Sequence, residues 1–147
     1  MKSFSELLEA ARAKAANKMP VLAIAQAHDH HVEEAVHEAE SLGLVQGLRI
    51  QRDDDAEAAR EAVAAVRRGD AQLLMKGLLP TPTIMKAVLN REAGLRTGRA
   101  LSHACAFEIP GWHKLIFTTD VALNVAPDLA RKADIVRNQV AMAHALG

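Results

Sequence analysis

The chain has 147 residues, 18 Lys plus Arg against 18 Asp plus Glu, half of its residues hydrophobic, and a single cysteine, Cys105. That length predicts one domain, residues 1–147, large enough to bury a core without staples. Neutral net charge gives no argument for nucleic acid or a membrane surface as a partner, and one thiol excludes an intramolecular disulfide and a cysteine-rich zinc site. The first 18 residues lack the apolar core of a signal peptide and no run is long enough to cross a bilayer, so a cytoplasmic protein is expected.

In chain order, residues 20–25 form a short apolar run consistent with a buried strand. Val32, Ala35, Val36, Ala39 and Leu42 then repeat at helical spacing behind Asp29 as N-cap, with Gly43 as the stop. Residues 48–51 read as a brief strand. Three aspartates at 53–55 lead into an alanine-rich helix whose core face is Ala59, Ala62, Val63 and Val66, ended by Gly69-Asp70. A third strand over 73–76 precedes a helix over 80–90 and a loop rich in Gly and Arg over 94–99. Residues 101–109 predict a strand with Leu101, His103, Cys105 and Phe107 on one face. Pro110-Gly111 marks a turn, 115–120 a further strand, and 127–146 a long helix with Pro127 in its first turn. Alternating strands and helices predict an α/β fold, a three-layer α/β/α sandwich with a mainly parallel sheet and one antiparallel pair.

The segment 74–86 holds the clearest chemistry. An apolar run ends in Lys76-Gly77 and opens a helix carrying Thr81, Thr83 and Lys86. In open α/β sheets ligands bind beyond the carboxyl ends of the strands, where helix N-termini offer unpaired N–H groups to phosphate. Lys76 and Lys86 add charge, and Gly77 lets backbone come close to a ligand. Local charge agrees: ten carboxylates face three arginines over 28–61, while five cations meet only Glu92 over 76–99. Solvated helix faces are the competing explanation of that asymmetry.

Other constellations are weaker. His28-Asp29-His30-His31 and His37 are metal-capable, but adjacent helical residues point apart, and no metal site is expected. Ser102 and His103 are neighbours on a strand and face opposite sides, so they do not form a nucleophile pair with each other. Cys105 reads as a buried, inert thiol. Thr118-Thr119-Asp120 ends a strand and delivers polar groups to the crevice. Neither G-x-x-x-x-G-K-[ST] nor G-x-G-x-x-G occurs, so triphosphate hydrolysis and dinucleotide binding have no support.

Taken together, Leu74-Met75-Lys76-Gly77, residues 84–92, Gly94-Leu95-Arg96, Leu101-Ser102-His103, Ala106-Phe107-Glu108 and Phe117-Thr118-Thr119-Asp120 through Asp128 closely resemble the phosphate acetyl/butyryltransferase family, the butyryl branch most. The resemblance implies a fold like that of the isocitrate and isopropylmalate dehydrogenases. It also implies interchange of acyl-CoA plus orthophosphate with acyl phosphate plus CoA, coenzyme A being a substrate and no bound cofactor being required. By the same resemblance Lys76, Gly77, Thr81, Thr83 and Lys86 meet phosphate, and Ser102, His103, Thr119 and Asp120 line the same crevice. Arg96 and Arg99 are candidates for CoA phosphates, and Asp120 for a base. Members of the family run to about twice this length, and the serine and aspartate that act on the thiol belong to the half lying beyond Gly147. They also carry an additional strand and helix where this chain passes from Gly47 to Leu48. Three readings follow: an acyltransferase complete only with a second chain or the missing half, a phosphate- or CoA-binding module without turnover, and an assembly domain with a vestigial site. Apolar surface left by the missing elements predicts a homo-oligomer, a dimer.

Overall fold

A computed structural model describes residues 2–147. Its elements are α1 Phe4–Asn17, β1 Val21–Ala25, α2 His30–Ser41, β2 Gln46–Ile50, α3 Asp55–Arg68, β3 Leu73–Lys76, α4 Thr81–Val88, β4 Ala104–Phe107, β5 Ile116–Thr119 and α5 Leu129–Leu146. They divide into two compact units, residues 11–97 and residues 98–147 with the segment up to Ala10. Among the described residues no helix is long and apolar enough to cross a membrane.

In the 11–97 unit three parallel strands take the order β2-β1-β3, with Ala23 of β1 opposite Leu48 on one side and Leu74 on the other. The centre strand is apolar at every position because both its faces are covered. Ala23 and Ala25 join Ala58, Ala59, Ala62 and Val63 of α3 and Ile84 and Ala87 of α4 in one core. Ile24 packs with Ala27 and Val36 on the α2 side. Alanine against alanine lets α3 lie close to the sheet, so this core is built from close approach of backbones more than from large side chains. Helix ends follow their sequence signals. Asp29 Oδ1 accepts from the backbone of His31 at 3.0 Å and of Val32 at 3.2 Å, Asp54 Oδ1 accepts from Glu57 at 2.7 Å, and Gly69 stops α3 at φ +86°.

The chain leaves β1 through α2 to β2 on one side and returns through α3 to β3 on the other. The strand order therefore reverses between β1 and β3, and that switch point is where a doubly wound sheet opens a crevice at its carboxyl edge.

In the other unit β4 and β5 form an antiparallel pair with Cys105 opposite Thr118. Asp128 caps α5 by accepting from the Arg131 backbone at 2.8 Å, and Ile135 and Leu115 are buried.

The α/β class and the parallel sheet agree with the sequence reading, but the antiparallel pair forms a sheet of its own. The strand expected over 101–109 shortens to Ala104–Phe107. The carbonyls of Ala100 and Leu101 accept from the side chains of Asn138 and Asn124, both at 2.9 Å, so side chains take groups that a ladder would use. The α1 helix was not anticipated. Gly47 and Leu48, the inferred position of a lost strand and helix, lie inside β2, which runs through them unbroken.

Candidate active site

The sequence-derived candidates form two groups, one in each unit. In the 11–97 unit, Lys76 ends β3 at the switch point. Its Nζ donates to the carbonyl oxygens of Gly77 at 3.2 Å and Leu79 at 3.0 Å, which folds the ammonium over the turn into α4. An ammonium carries three N–H donors, so one remains for an anion. The turn itself is stitched to β1: Gly77 N–H donates to the Ala25 carbonyl at 2.9 Å and Leu78 N–H to the Gln26 carbonyl at 2.8 Å. Gly77 is buried there, and the backbone it approaches closely is that of Gln26.

Thr81 begins α4. Pro82 has no N–H, and the amides of Thr83 and Ile84 donate to the Pro80 carbonyl at 2.9 and 3.4 Å. The helix start thus offers an anion the Thr81 N–H, the hydroxyls of Thr81 and Thr83, and the positive end of its dipole. Lys86 lies in the last turn of this eight-residue helix, away from the N-terminal amides. Lys86 and Arg96 are exposed and make no ion pair among the described residues. A hollow along β2, lined by Gln46, Leu48, Ile50, Glu61 and Arg68, contains none of these groups.

At the same edge Gln26 follows β1. It is buried, 3% exposed, and holds φ +60°, a left-handed conformation uncommon for a side chain of this kind. Its Nε2 donates to the Arg52 carbonyl and to Asp55 Oδ1, both at 2.8 Å, and its Oε1 accepts from the Arg52 N–H at 3.2 Å. Its own N–H donates to the Ile50 carbonyl at 2.8 Å. Nothing in the sequence distinguishes Gln26, because a lone glutamine after an apolar run carries no motif.

His30 and His31 sit exposed at the start of α2, both beside Glu34, at 3.2 and 3.6 Å. Among the described residues no three His, Cys, Asp or Glu side chains converge.

In the other unit Ser102, His103, Thr119 and Asp120 come together around the β4–β5 pair. Thr119 Oγ1 donates to the His103 carbonyl at 2.6 Å, and Asn138 Nδ2 donates to Ser102 Oγ at 2.9 Å. Asp120 Oδ2 accepts from Asn124 Nδ2, while Oδ1 accepts from Leu123 N–H at 3.0 Å and Ala122 N–H at 3.2 Å. The Asn124 amide, followed by the backbone donors, outweighs an opposing effect of burial and holds the Asp120 carboxyl at about 2. Asn124 is in turn oriented by Arg131, whose Nη1 donates to Asn124 Oδ1 at 3.0 Å. Asn124, Arg131 and Asn138 lie outside the candidates the sequence offers, since their roles arise from α5 and the loop before it meeting β4 and β5. Arg99 is exposed and unpaired among the described residues. Cys105 departs from expectation: it is half-buried, with Sγ 3.4 Å from the Nε2 of His103, the residue just before β4.

Residues 6–147 match the family described as Phosphate acetyl/butaryl transferase. The chain is 36% identical over 170 residues to the phosphate butyryltransferase of Clostridium acetobutylicum, covering 100% of this chain and 56% of that protein. It is 31% identical over 164 residues to the phosphate acetyltransferase of Thermotoga maritima, covering 97% and 54%. A branched-chain phosphotransacylase from Enterococcus faecalis V583 superposes with a TM-score of 0.76 at 30% identity, over 88% of this chain and 52% of that one. The chain therefore spans about half the length of the relatives it matches. On these matches the chain belongs to the phosphate acetyl/butyryl transferase family.

Proposed function

We propose that this chain carries the phosphate-handling part of a phosphate acyltransferase, which interchanges acyl-CoA plus orthophosphate with acyl phosphate plus CoA. The observation that carries the proposal is the Lys76–Thr83 turn at the β1/β3 switch point, in a chain matched to the transferase family over residues 6–147. In this reading Lys76 Nζ, the Thr81 N–H and the hydroxyls of Thr81 and Thr83 hold the phosphoryl oxygens, and Lys86 and Arg96 add longer-range attraction. Ser102, His103 and Thr119 are polar contacts for the CoA thioester, Arg99 is a contact for CoA phosphates, and the finer fold is of the isocitrate dehydrogenase type.

Toward acyl-CoA, the CoA sulfur attacks the carbonyl carbon of the acyl phosphate. A C–S bond forms, the C–O bond to phosphorus breaks, and its electron pair leaves on orthophosphate while the thiol proton passes to a base. Cations already paired with the phosphoryl oxygens stabilise the leaving group as charge develops on it. A carboxyl at about 2 is a weak proton acceptor at neutral pH, so Asp120 acts in this reading as the acceptor that orders Asn124 and the turn over 120–123.

Mixing the chain with butyryl-CoA or acetyl-CoA and phosphate, and following free thiol with a chromogenic disulfide, tests the proposal. Thiol release that saturates with phosphate and is lost in Lys76→Met is expected. The 56% coverage favours one second reading, a module that binds phosphate or CoA without turnover. It predicts saturable binding by calorimetry with no thiol release, and an assembly domain predicts neither.

A further inference from the structure

We infer that Gln26 is a positioning residue for the anion site, fixing the turn that carries Lys76; this rests on the phosphate reading above. Four features converge on it. It is a polar residue buried to 3% exposure, and its left-handed φ of +60° occurs where glycine or asparagine is the ordinary choice. Both amide donors and the carbonyl of its side chain are occupied, by Arg52 and by Asp55 of α3, so the side chain has one orientation and holds the backbone in an otherwise unfavourable state. In that backbone state the Gln26 carbonyl accepts from Leu78 N–H at 2.8 Å and lies against Gly77 in the turn after β3. The carbonyls of Gly77 and Leu79 then hold Lys76 Nζ. A continuous series of contacts thus runs from α3 through Gln26 to the ammonium. Gln26 touches the carboxyl ends of all three strands, through Ile50 of β2, its own β1 and the turn after β3. Its role is to set where the cation sits, with no contact to the ligand itself.

Three variants separate this role from stability. Gln26→Gly relieves the φ and removes the side-chain bonds; Gln26→Asn tolerates the φ and falls short by one methylene; Gln26→Glu keeps the reach but sets a carboxylate against Asp55. The titratable group against position 26 is Asp55 of α3; the Arg52 backbone completes the contacts, and the Arg52 side chain pairs with Glu61. The probe is inorganic phosphate, titrated into the 147-residue chain while the amide resonances of Gly77, Leu78 and Thr81 are followed, with thermal melting recorded for each variant. Gly and Asn variants that still melt cooperatively are expected to bind phosphate about tenfold more weakly, the loss of roughly one well-made hydrogen bond. Gln26→Glu is expected to recover affinity relative to the wild type, measured at the same pH, as pH falls toward about 5 and the new carboxyl becomes a donor to Asp55. Gln26→Gly gains nothing over that range, and a merely structural role would move neither ratio. Wild-type binding with equal affinities in all variants, or a Gln26→Glu ratio independent of pH, overturns the assignment while leaving the phosphate reading intact. Absence of phosphate-dependent shifts in the wild type overturns the phosphate reading and this assignment with it.

Discussion

Gly77 lies against the carbonyl of Gln26 so closely that a Cβ at position 77 would stand 2.0 Å from that oxygen and 2.7 Å from the carbonyl oxygen of Ala25. Backbone meets backbone there, so no rotamer change relieves an added methyl. Gly77→Ala is expected to destabilise the chain by about 2–3 kcal/mol in chemical denaturation, and to abolish phosphate-dependent shifts at Thr81 even where the protein remains folded. An alanine variant of unchanged stability would contradict this packing.

The same contact shows what the sequence could and could not supply. A lysine-glycine pair after an apolar run, followed by threonines, marks the turn as a candidate because residue types and order carry that information. The neighbour that Gly77 approaches is named only by topology: β3 returns beside β1, and Gln26 is fifty-one positions earlier in the chain. The α2 and α3 helices were legible from Asp29, from the alanine face of α3 and from Gly69, all local signals. By contrast α1 carries charges and alanines around most of its circumference and buries only Ala15 fully, so its apolar periodicity is faint. The start of the strand predicted over 101–109 is lost to Asn124 and Asn138, which bond the carbonyls of Leu101 and Ala100 from more than twenty positions away. Asp120 was legible as a polar strand end, but its low carboxyl value depends on Asn124 across a turn.

Glu40 provides a pH test of the 11–97 unit. Its carboxylate accepts from Arg49 at 3.1 and 3.0 Å and from Gly47 N–H at 2.9 Å, and these contacts lower it from an ordinary 4.5 to about 2, the Arg49 side chain contributing most. A carboxyl whose folded value lies below its unfolded one contributes stability that is complete above 4.5 and lost as pH falls toward 2. Glu40→Gln is therefore expected to cost about 1 kcal/mol at neutral pH after solvent screening, and nothing at the acid end of that window. Urea melts at neutral pH and near the lower value check the sign, and a cost that grows on acidification would contradict it.

Asp120 is expected to stay ionised to about 2 when its carboxyl carbon is followed by NMR through an acid titration. In Asn124→Ala its midpoint should rise toward the ordinary 3.8, since the largest of its lowering contacts is gone. Arg131→Ala should move it less, because Arg131 acts on Asp120 only through Asn124. Equal midpoints in wild type and Asn124→Ala would contradict the assignment of cause.

Val121, Val125 and Leu129 are 71%, 97% and 83% exposed around the start of α5, a concentration of apolar surface that supports self-association. We expect sedimentation velocity to show a dimer and a Val125→Asp, Leu129→Asp double variant to shift it to monomer. A wild type that sediments as a compact monomer at high concentration would remove this proposal.

Whether the carboxyl edge of β1 and β3 holds phosphate is decided by a crystal structure of the chain grown with orthophosphate or acetyl phosphate. A phosphoryl group is expected within hydrogen-bond distance of Lys76 Nζ and the Thr81 N–H, absent from crystals of Lys76→Met grown in the same solution. Phosphate bound elsewhere with this edge vacant, or bound here equally well in Lys76→Met, would contradict it.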